Sequence, residues 1–316
     1  MLVASIPDLR FTKPLKERPA FRLVSIAGPG QNSRRVSYLP SKKLSRIRHP
    51  DDNPRLPWHS DSMRIQLFEF TDLAWYPGFL KRPIQEYLDF VSMKFDIFAP
   101  VLPLLEQALN ESGQDRVVDL GSGAGGGLLP FWKSLKENRP DLSIVLSDKF
   151  PVSVGAEFDD DGIEYWKESV DACEVPDAID GYRTLFTVAH HFPPAQLKSV
   201  LQNARDRRKP IAIFEPTQRK FAQIVGMLFI VPLLALVTMV RIRPRSLSRI
   251  FFTYFVPIIP VTILWDGLVS VLRSYHPREL LALAAATSGP GYDWQAGLAT
   301  GTRSRITYLI GRPESD

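Results

Sequence analysis

The chain has 316 residues, 45 % of them hydrophobic and 23 % charged, with a formal net charge of +5. These values fit one large α/β domain with additions and exclude a fibrous or wholly disordered protein. A single cysteine, Cys173, excludes an intramolecular disulfide and a multi-cysteine zinc site, and fits a reducing, cytoplasmic compartment.

The positive charge belongs to one end. Residues 1–60 hold twelve Lys/Arg against four Asp/Glu and are rich in Pro and Ser without sustained periodicity, so they read as a basic, flexible arm. Its prolines interrupt the amphipathic helix of a transit peptide, and its start lacks the apolar core of a secretory signal. Aromatic residues are sparse among its basic ones, and nucleic acid is not expected as a partner. Residues 61–110 read as a helical cover. Phe68, Phe70, Trp75, Tyr76 and Phe79 cluster around Pro77-Gly78; Tyr87, Val91, Phe95 and Phe98 then recur at helical spacing. Leu104, Leu105 and Leu109 mark a second helix after Pro100. Trp75 and Tyr76, beside the turn, are candidates to face a site.

Residues 116–127, RVVDLGSGAGGG, carry the strongest signal. Val117-Val118 ends a buried strand, Asp119 closes it, and Gly121, Gly123, Gly125, Gly126 and Gly127 form a loop. Leu128, Trp132 and Leu135 then recur at helical spacing. A strand, glycine turn and helix place a nucleotide-like ligand at the carboxyl end of a parallel strand, where it meets bare backbone. Gly121-x-Gly123-x-x-Gly126 satisfies the dinucleotide fingerprint. Asp119, two residues before the first glycine, would repel a pyrophosphate but attract the cationic sulfonium and ammonium of S-adenosyl-L-methionine. A glycine turn with no ligand is the third reading.

VVDLGSGAG resembles the first motif of the class I S-adenosylmethionine-dependent methyltransferases: an apolar strand, an acidic residue and G-x-G-x-G. The resemblance implies a Rossmann-like α/β fold with a seven-stranded, mostly parallel sheet and an antiparallel last strand. It covers about residues 63–220 and 277–312, with the catalytic domain at 111–220 and 277–312, and implies S-adenosyl-L-methionine held by Asp119, Gly121, Ser122, Gly123 and Gly125. A second strand at 143–146 leads to Asp148. There the resemblance places the ribose, since one carboxylate accepts bonds from two vicinal hydroxyls; the alternative is a capping aspartate. A third strand at 163–166 leads to Asp171 and Ala172, which match the adenine-binding place.

The fourth strand, 182–188, runs into His190 and His191, where the family places acceptor-side residues. In an extended segment neighbours point to opposite sides, so one of the two at most should face the acceptor, as general base or as a structural histidine. Lacking i, i+4 spacing, the pair is not expected to bind a metal. Leu197, Val200, Leu201 and Ala204 mark the next helix. A fifth strand, 211–214, ends at Glu215, a contact to the acceptor or a cap. The N/D-P-P-Y signature of amino-methylating relatives is absent.

Residues 221–276 depart from the family pattern. Residues 221–240 carry no charge and are flanked by Arg219-Lys220 and by Arg241, Arg243 and Arg245; residues 250–265 are a second uncharged run, broken by Pro257 and Pro260. The first run is long enough to cross a bilayer. Two readings stand: an apolar helical hairpin contacting a membrane surface through 221–272, or a lid over the catalytic domain. Either favours an apolar acceptor. Asp266 needs a partner, and Arg273 on the same helical side is the nearest in sequence. Residues 277–312 supply a helix and two antiparallel strands, 292–299 and 305–310. The whole reads as a methyltransferase acting on a small-molecule or lipid-like acceptor. The alternatives are a non-catalytic membrane-associated protein retaining the fold, and a nicotinamide-dependent oxidoreductase.

Overall fold

The computed structural model describes residues 22–27, 64–123, 125, 128–151, 162–243 and 245–314. Among them, one sheet runs β1-β7-β8-β6-β5-β2-β3-β4. Its strands are β1 Arg22–Ala27, β2 Arg116–Leu120, β3 Ser143–Ser147, β4 Ile163–Tyr165, β5 Tyr182–Phe186, β6 Ile211–Glu215, β7 Tyr292–Thr300 and β8 Arg305–Pro313. β4, β3, β2, β5 and β6 are parallel to one another; β8 joins β6 antiparallel, β7 joins β8, and β1 joins β7. The seven expected strands are present. An eighth strand lies within the segment read as an extended, flexible arm, where Arg22 pairs with Thr300 and Ala27 with Gln295 along the free edge of β7. A six-residue strand between Pro- and Arg-rich flanks is too short to stand out, and a sheet edge still needs backbone partners.

Alternation along the parallel strands sets the layers. Val117, Ile144, Leu146, Ala212 and Phe214 face one side, with α2 (Leu102–Ser112) and α3 (Leu129–Asn138) packed on them. Val118, Val145, Ile211 and Ile213 face the other, under α4 (Pro194–Asp206) and α9 (Pro277–Ala285). Both faces are covered, so most strand residues are buried and apolar, with Asp119, Arg183, Thr184 and Glu215 as buried polar exceptions. The chain leaves β2 toward β3 in one direction and returns on its other side as β5. The crevice at the carboxyl ends of β2 and β5 is therefore the topological switch point.

α1 (Gly78–Lys94) ends earlier than its pattern suggests. Asp96 turns left-handed at φ 50°, which leaves Phe95 partly exposed and sends Phe98 into the sheet core instead. Above α1 sits the hairpin. Its first arm is α5 (Phe221–Val225), a π-helical turn at Gly226–Ile230, and α6 (Val231–Thr238). The π turn lies just before Pro232, which has no N–H to continue the α-helical ladder. The second arm is α7 (Leu247–Ile250), another π turn at Phe251–Phe255, and α8 (Ile258–Arg273), bent by 76° where Pro257 intervenes. Tyr76, Leu80, Ile84 and Tyr87 pack under Ala235, Met239, Ile242, Ile259 and Ile263, a core separate from those of the sheet. Buried Arg249 pairs with Glu86 of α1 and donates to the Ile242 carbonyl. Leu135 of α3 is fully buried against the sheet; Leu135→Ala is expected to cost about 2–5 kcal/mol, measured by urea unfolding.

Candidate functional site

The switch point is built on Asp119. Its carboxylate is buried near the end of β2, and its Oδ1 accepts a 2.6 Å hydrogen bond from Thr184 Oγ1, the register partner on β5. Burial pushes this carboxyl up to about 7; the Thr184 bond opposes that and the nearby Asp148 adds to it.

The chain then turns through Gly121, Gly123 and Gly125, at φ 72°, 55° and 94°, in the left-handed region that favours glycine. A side chain at Gly121 would collide with Val188 of the loop after β5, and one at Gly123 with Gln85 Nε2 of α1. Gln85 is a site residue that no local pattern in the sequence marks; it reaches the loop only because α1 lies across it. Ala124, Gly126 and Gly127 lie outside the described residues. The Ser122 amide donates to the Ser147 carbonyl at 2.9 Å, while its buried hydroxyl has no partner among the described residues.

Asp148 stands where the second strand was expected to deliver it, with its oxygens already engaged. Oδ2 accepts from the Gly123 amide and Oδ1 from the Phe150 amide, both at 2.8 Å. It therefore ties the glycine loop to the end of β3, and each oxygen keeps a further lone pair for a ligand hydroxyl. Asp171 accepts from the Cys173 amide at 2.9 Å and pairs with Lys149 at 2.8 Å, which lowers its pKa. Ala172 is buried beside it. Val170 N–H donates to the Asp148 carbonyl and Ser169 Oγ to the Lys149 carbonyl, so the loops after β3 and β4 form one ledge. Burial first, with Asp171 second, raises the Cys173 thiol to about 11, in keeping with an unactivated cysteine.

Beyond β5 the chain is strained and then tightly turned. Thr187 sits at φ 59°, which a β-branched residue avoids at a cost of about 1–3 kcal/mol. Ala189–His191 form a 3-10 turn rather than an extended segment. Both imidazoles therefore point the same way, ring centroids 4.2 Å apart, which corrects the expectation that they diverge. His190 is buried, with Nδ1 2.8 Å from Glu215 Oε2 at the end of neighbouring β6. Its Nε2 faces Glu69 at 3.8 Å. His191 Nδ1 lies 2.8 Å from Asp72 Oδ1. Burial alone would raise Glu215, but the His190 charge and hydrogen bond bring it below the ordinary carboxylate value. Burial would likewise lower His191, but Glu69 and Asp72 raise it, so this imidazole carries charge more readily than a free one.

Residues 64–72 and the end of α8 close this cluster. Arg273 is buried 2.9 Å from Asp72 and 3.5 Å from Glu69, and its Nε donates to the His190 carbonyl at 3.2 Å. Arg64 donates to the carbonyls of His190, Phe192 and Arg273 at 2.6–3.0 Å and lies over the Tyr275 ring. Asp266 does not pair with Arg273, as its helical position suggested. It accepts from the amides of Phe70 and Thr71 and from the Thr71 hydroxyl, anchoring the closing segment to α8. Tyr76 is buried with its hydroxyl on Thr262, and Trp75 is 69 % exposed; neither faces the site. Glu69, His190 and His191 bring three potential ligand atoms within 4.8 Å of one another, closer than their sequence spacing suggested. Each already has a protein partner, and Arg273 supplies the positive charge that Glu69 and Asp72 require.

No family model matches the chain, and no curated protein matches it by sequence. Among solved structures it is similar to the plantazolicin methyltransferase BpumL in complex with SAH. That likeness covers 78 % of this chain and 94 % of that one at 10 % identity, with a TM-score of 0.50. Human N-acetylserotonin methyltransferase in complex with SAM is more distant, at 15 % identity over 66 % of this chain and half of that one, with a TM-score of 0.37. The chain thus has the Rossmann-like fold of class I methyltransferases.

The unfolded chain ionises Asp119 near the ordinary carboxylate value, so the folded state holds an extra proton between that value and about 7. This contribution is present at low pH and is lost as pH rises through about 7. Asp119→Asn is therefore expected to gain about 2–4 kcal/mol over the wild type at pH 8 and almost nothing at pH 4, measured by urea unfolding at both.

Proposed function

We propose that the chain is an S-adenosylmethionine-dependent methyltransferase acting on an apolar small-molecule or lipid-like acceptor. The observation that carries this reading is the pair of carboxylates on the glycine loop. Asp119 is buried beneath it, and Asp148 occupies the Gly123 amide that a pyrophosphate would need. That disfavours a nicotinamide dinucleotide and favours a cationic, phosphate-free ligand. The residues fit such a ligand: Gly121 and Gly123 hold positive φ that other side chains avoid, and the buried Ser122 hydroxyl lacks a partner among the described residues. In this reading Asp119 faces the positive end of the ligand. Asp148 takes the ribose, while Asp171 and Ala172 border the adenine.

When bound, S-adenosylmethionine supplies a methyl group on sulfonium that leaves by in-line displacement, its bonding pair returning to sulfur. The chain's own task is to hold donor and nucleophile together and to take the acceptor's proton. Glu215 holds the proton of His190 on Nδ1, which leaves Nε2 as the basic nitrogen. His190 lies two residues beyond Val188, whose side chain rests against Gly121, so the base and the glycine loop share one crevice. Glu69 faces Nε2 and yields that place to an acceptor hydroxyl or amine. Phe68, Phe70 and Trp265, in mutual ring contact beside Glu69, supply the apolar wall. His191, paired with Asp72, positions the segment that carries Glu69.

The buried His190–Glu215 pair speaks against a fold kept without turnover, since an apolar pair would pack there at less cost. Calorimetry should show S-adenosylhomocysteine binding that Asp119→Ala and Gly123→Ala abolish. In a screen of apolar hydroxyl and amine compounds, His190→Ala should lose about 10²–10⁴ in kcat with binding of S-adenosylhomocysteine retained. A folded chain that binds NADH and not S-adenosylhomocysteine would overturn the reading.

A further inference from the structure

The hairpin has a second face, which the catalytic site does not use. The segment Phe221–Thr238 is the one helical stretch among the described residues long and apolar enough by itself to cross a membrane, yet only 11 % of it is buried. Phe221, Phe229 and Leu233 of the first arm are 61–79 % exposed, and Leu247, Phe255 and Val261 of the second are 57–87 % exposed. The arms lie side by side, with Tyr254 Oη donating to the Leu236 carbonyl. Phe79 of α1, itself exposed, meets Phe252 at 5.4 Å and extends the same surface onto the catalytic domain. A patch built from three elements exceeds what scattered surface hydrophobics account for.

The charge around this face has one sign. From residue 216 to residue 265 there is no Asp or Glu, and six Lys/Arg. Arg241, Arg243 and Arg245 are exposed in the turn between the arms, and Lys220 is exposed at the other end. A second copy seated on the face would oppose one basic rim to another, whereas an anionic surface complements both rims. The rest of the chain is no better suited to cover it, since residues 28–63 are rich in Arg, Lys, Pro and Ser.

Both ends of the first arm are tied to one body. Arg219 at its start donates to the Ser274 carbonyl and pairs with Glu279, each at 2.7 Å. At its end Met239 and Ile242 are buried under Tyr76 and Leu80, and the Ile242 carbonyl is held by Arg249. Midway, Tyr87 Oη donates to the Val231 carbonyl. α1 and the residues just before it thus run along the arm, about 27 Å at helical rise. A crossing arm would drag α1, with its ion-paired Glu86, into hydrocarbon.

We propose that the hairpin lies in the plane of an anionic membrane surface, its outer apolar face among the acyl chains and its arginines at the headgroups, without crossing. This goes beyond the methyl-transfer reading and stands on separate observations, since vesicle binding needs neither cofactor nor turnover. In flotation, the full chain should bind phosphatidylcholine vesicles containing phosphatidylglycerol and lose that binding in the triple variant Phe229→Ser/Leu233→Ser/Phe255→Ser. All three positions are exposed, so the variant should unfold at the same urea concentration as the wild type. Replacing Arg241, Arg243 and Arg245 by Gln should weaken binding by roughly 100-fold, and about 0.5 M salt should weaken it also. In a Cys173→Ala background, Lys220→Cys and Arg243→Cys should both react with an impermeant maleimide added outside the vesicles. Protection of one of the two would mean a crossing arm and overturn the proposal. So would equal binding to neutral vesicles, no binding at all, or a dimer that the triple variant dissociates.

Discussion

The structure depends on a carboxylate that folding alone would not choose to bury. Asp119 sits near the carboxyl end of β2, with one hydroxyl for a partner and, among the described residues, no basic side chain bonded to it. Everything around it follows from that position. The strand order reverses between β2 and β5, opening the crevice. Glycines carry the chain over the buried acid, and Asp148 fastens that loop to the next strand. A half-ionised buried acid is a poor structural element and a good receptor for a cation, which replaces its proton at little electrostatic cost.

The acceptor side is organised by the opposite device, a set of charges fully paired among themselves. Glu69, Asp72, His190, His191, Glu215 and Arg273 each meet an opposite or hydrogen-bonding partner within the cluster. Arg64 and Arg273 also satisfy the backbone carbonyl of the histidine turn, which holds both imidazoles on one side. Such a network is stiff, and under the proposed function an acceptor exchanges with Glu69. The hairpin then has two faces: α8 closes the cluster, and the outer surface of both arms is exposed and apolar.

The glycine-loop half of the candidate site was legible in the sequence because it is local. Asp119, Gly121, Gly123, Asp148 and Asp171 lie at strand ends, where short apolar runs and glycine punctuation announce them. The acceptor half was only partly legible. His190, His191 and Glu215 follow strands and could be found, but their geometry depended on a 3-10 turn that the H-H-F-P-P spacing does not reveal. Glu69, Gln85, Arg64 and Arg273 were missed as site residues because their partners are distant in sequence; the Arg64 and Arg273 contact spans 209 residues. Asp266 illustrates the same limit. Helical spacing pointed to Arg273, whereas its partners are amides 195 and 196 residues away. Residues 22–27 show how an edge strand hides when the strand it completes lies at the far end of the chain.

The central claim is that Asp119 exchanges a proton for the positive charge of S-adenosylmethionine. It is tested most directly by calorimetric titration of the wild type and Asp119→Asn with S-adenosylmethionine at pH 7, in buffers of different ionisation enthalpy. The difference in heat between buffers reports protons released on binding. With the carboxyl near half-ionised at that pH, the wild type should release on the order of half a proton more per ligand than the variant. Equal proton release from the two proteins, with binding intact in both, would contradict the account.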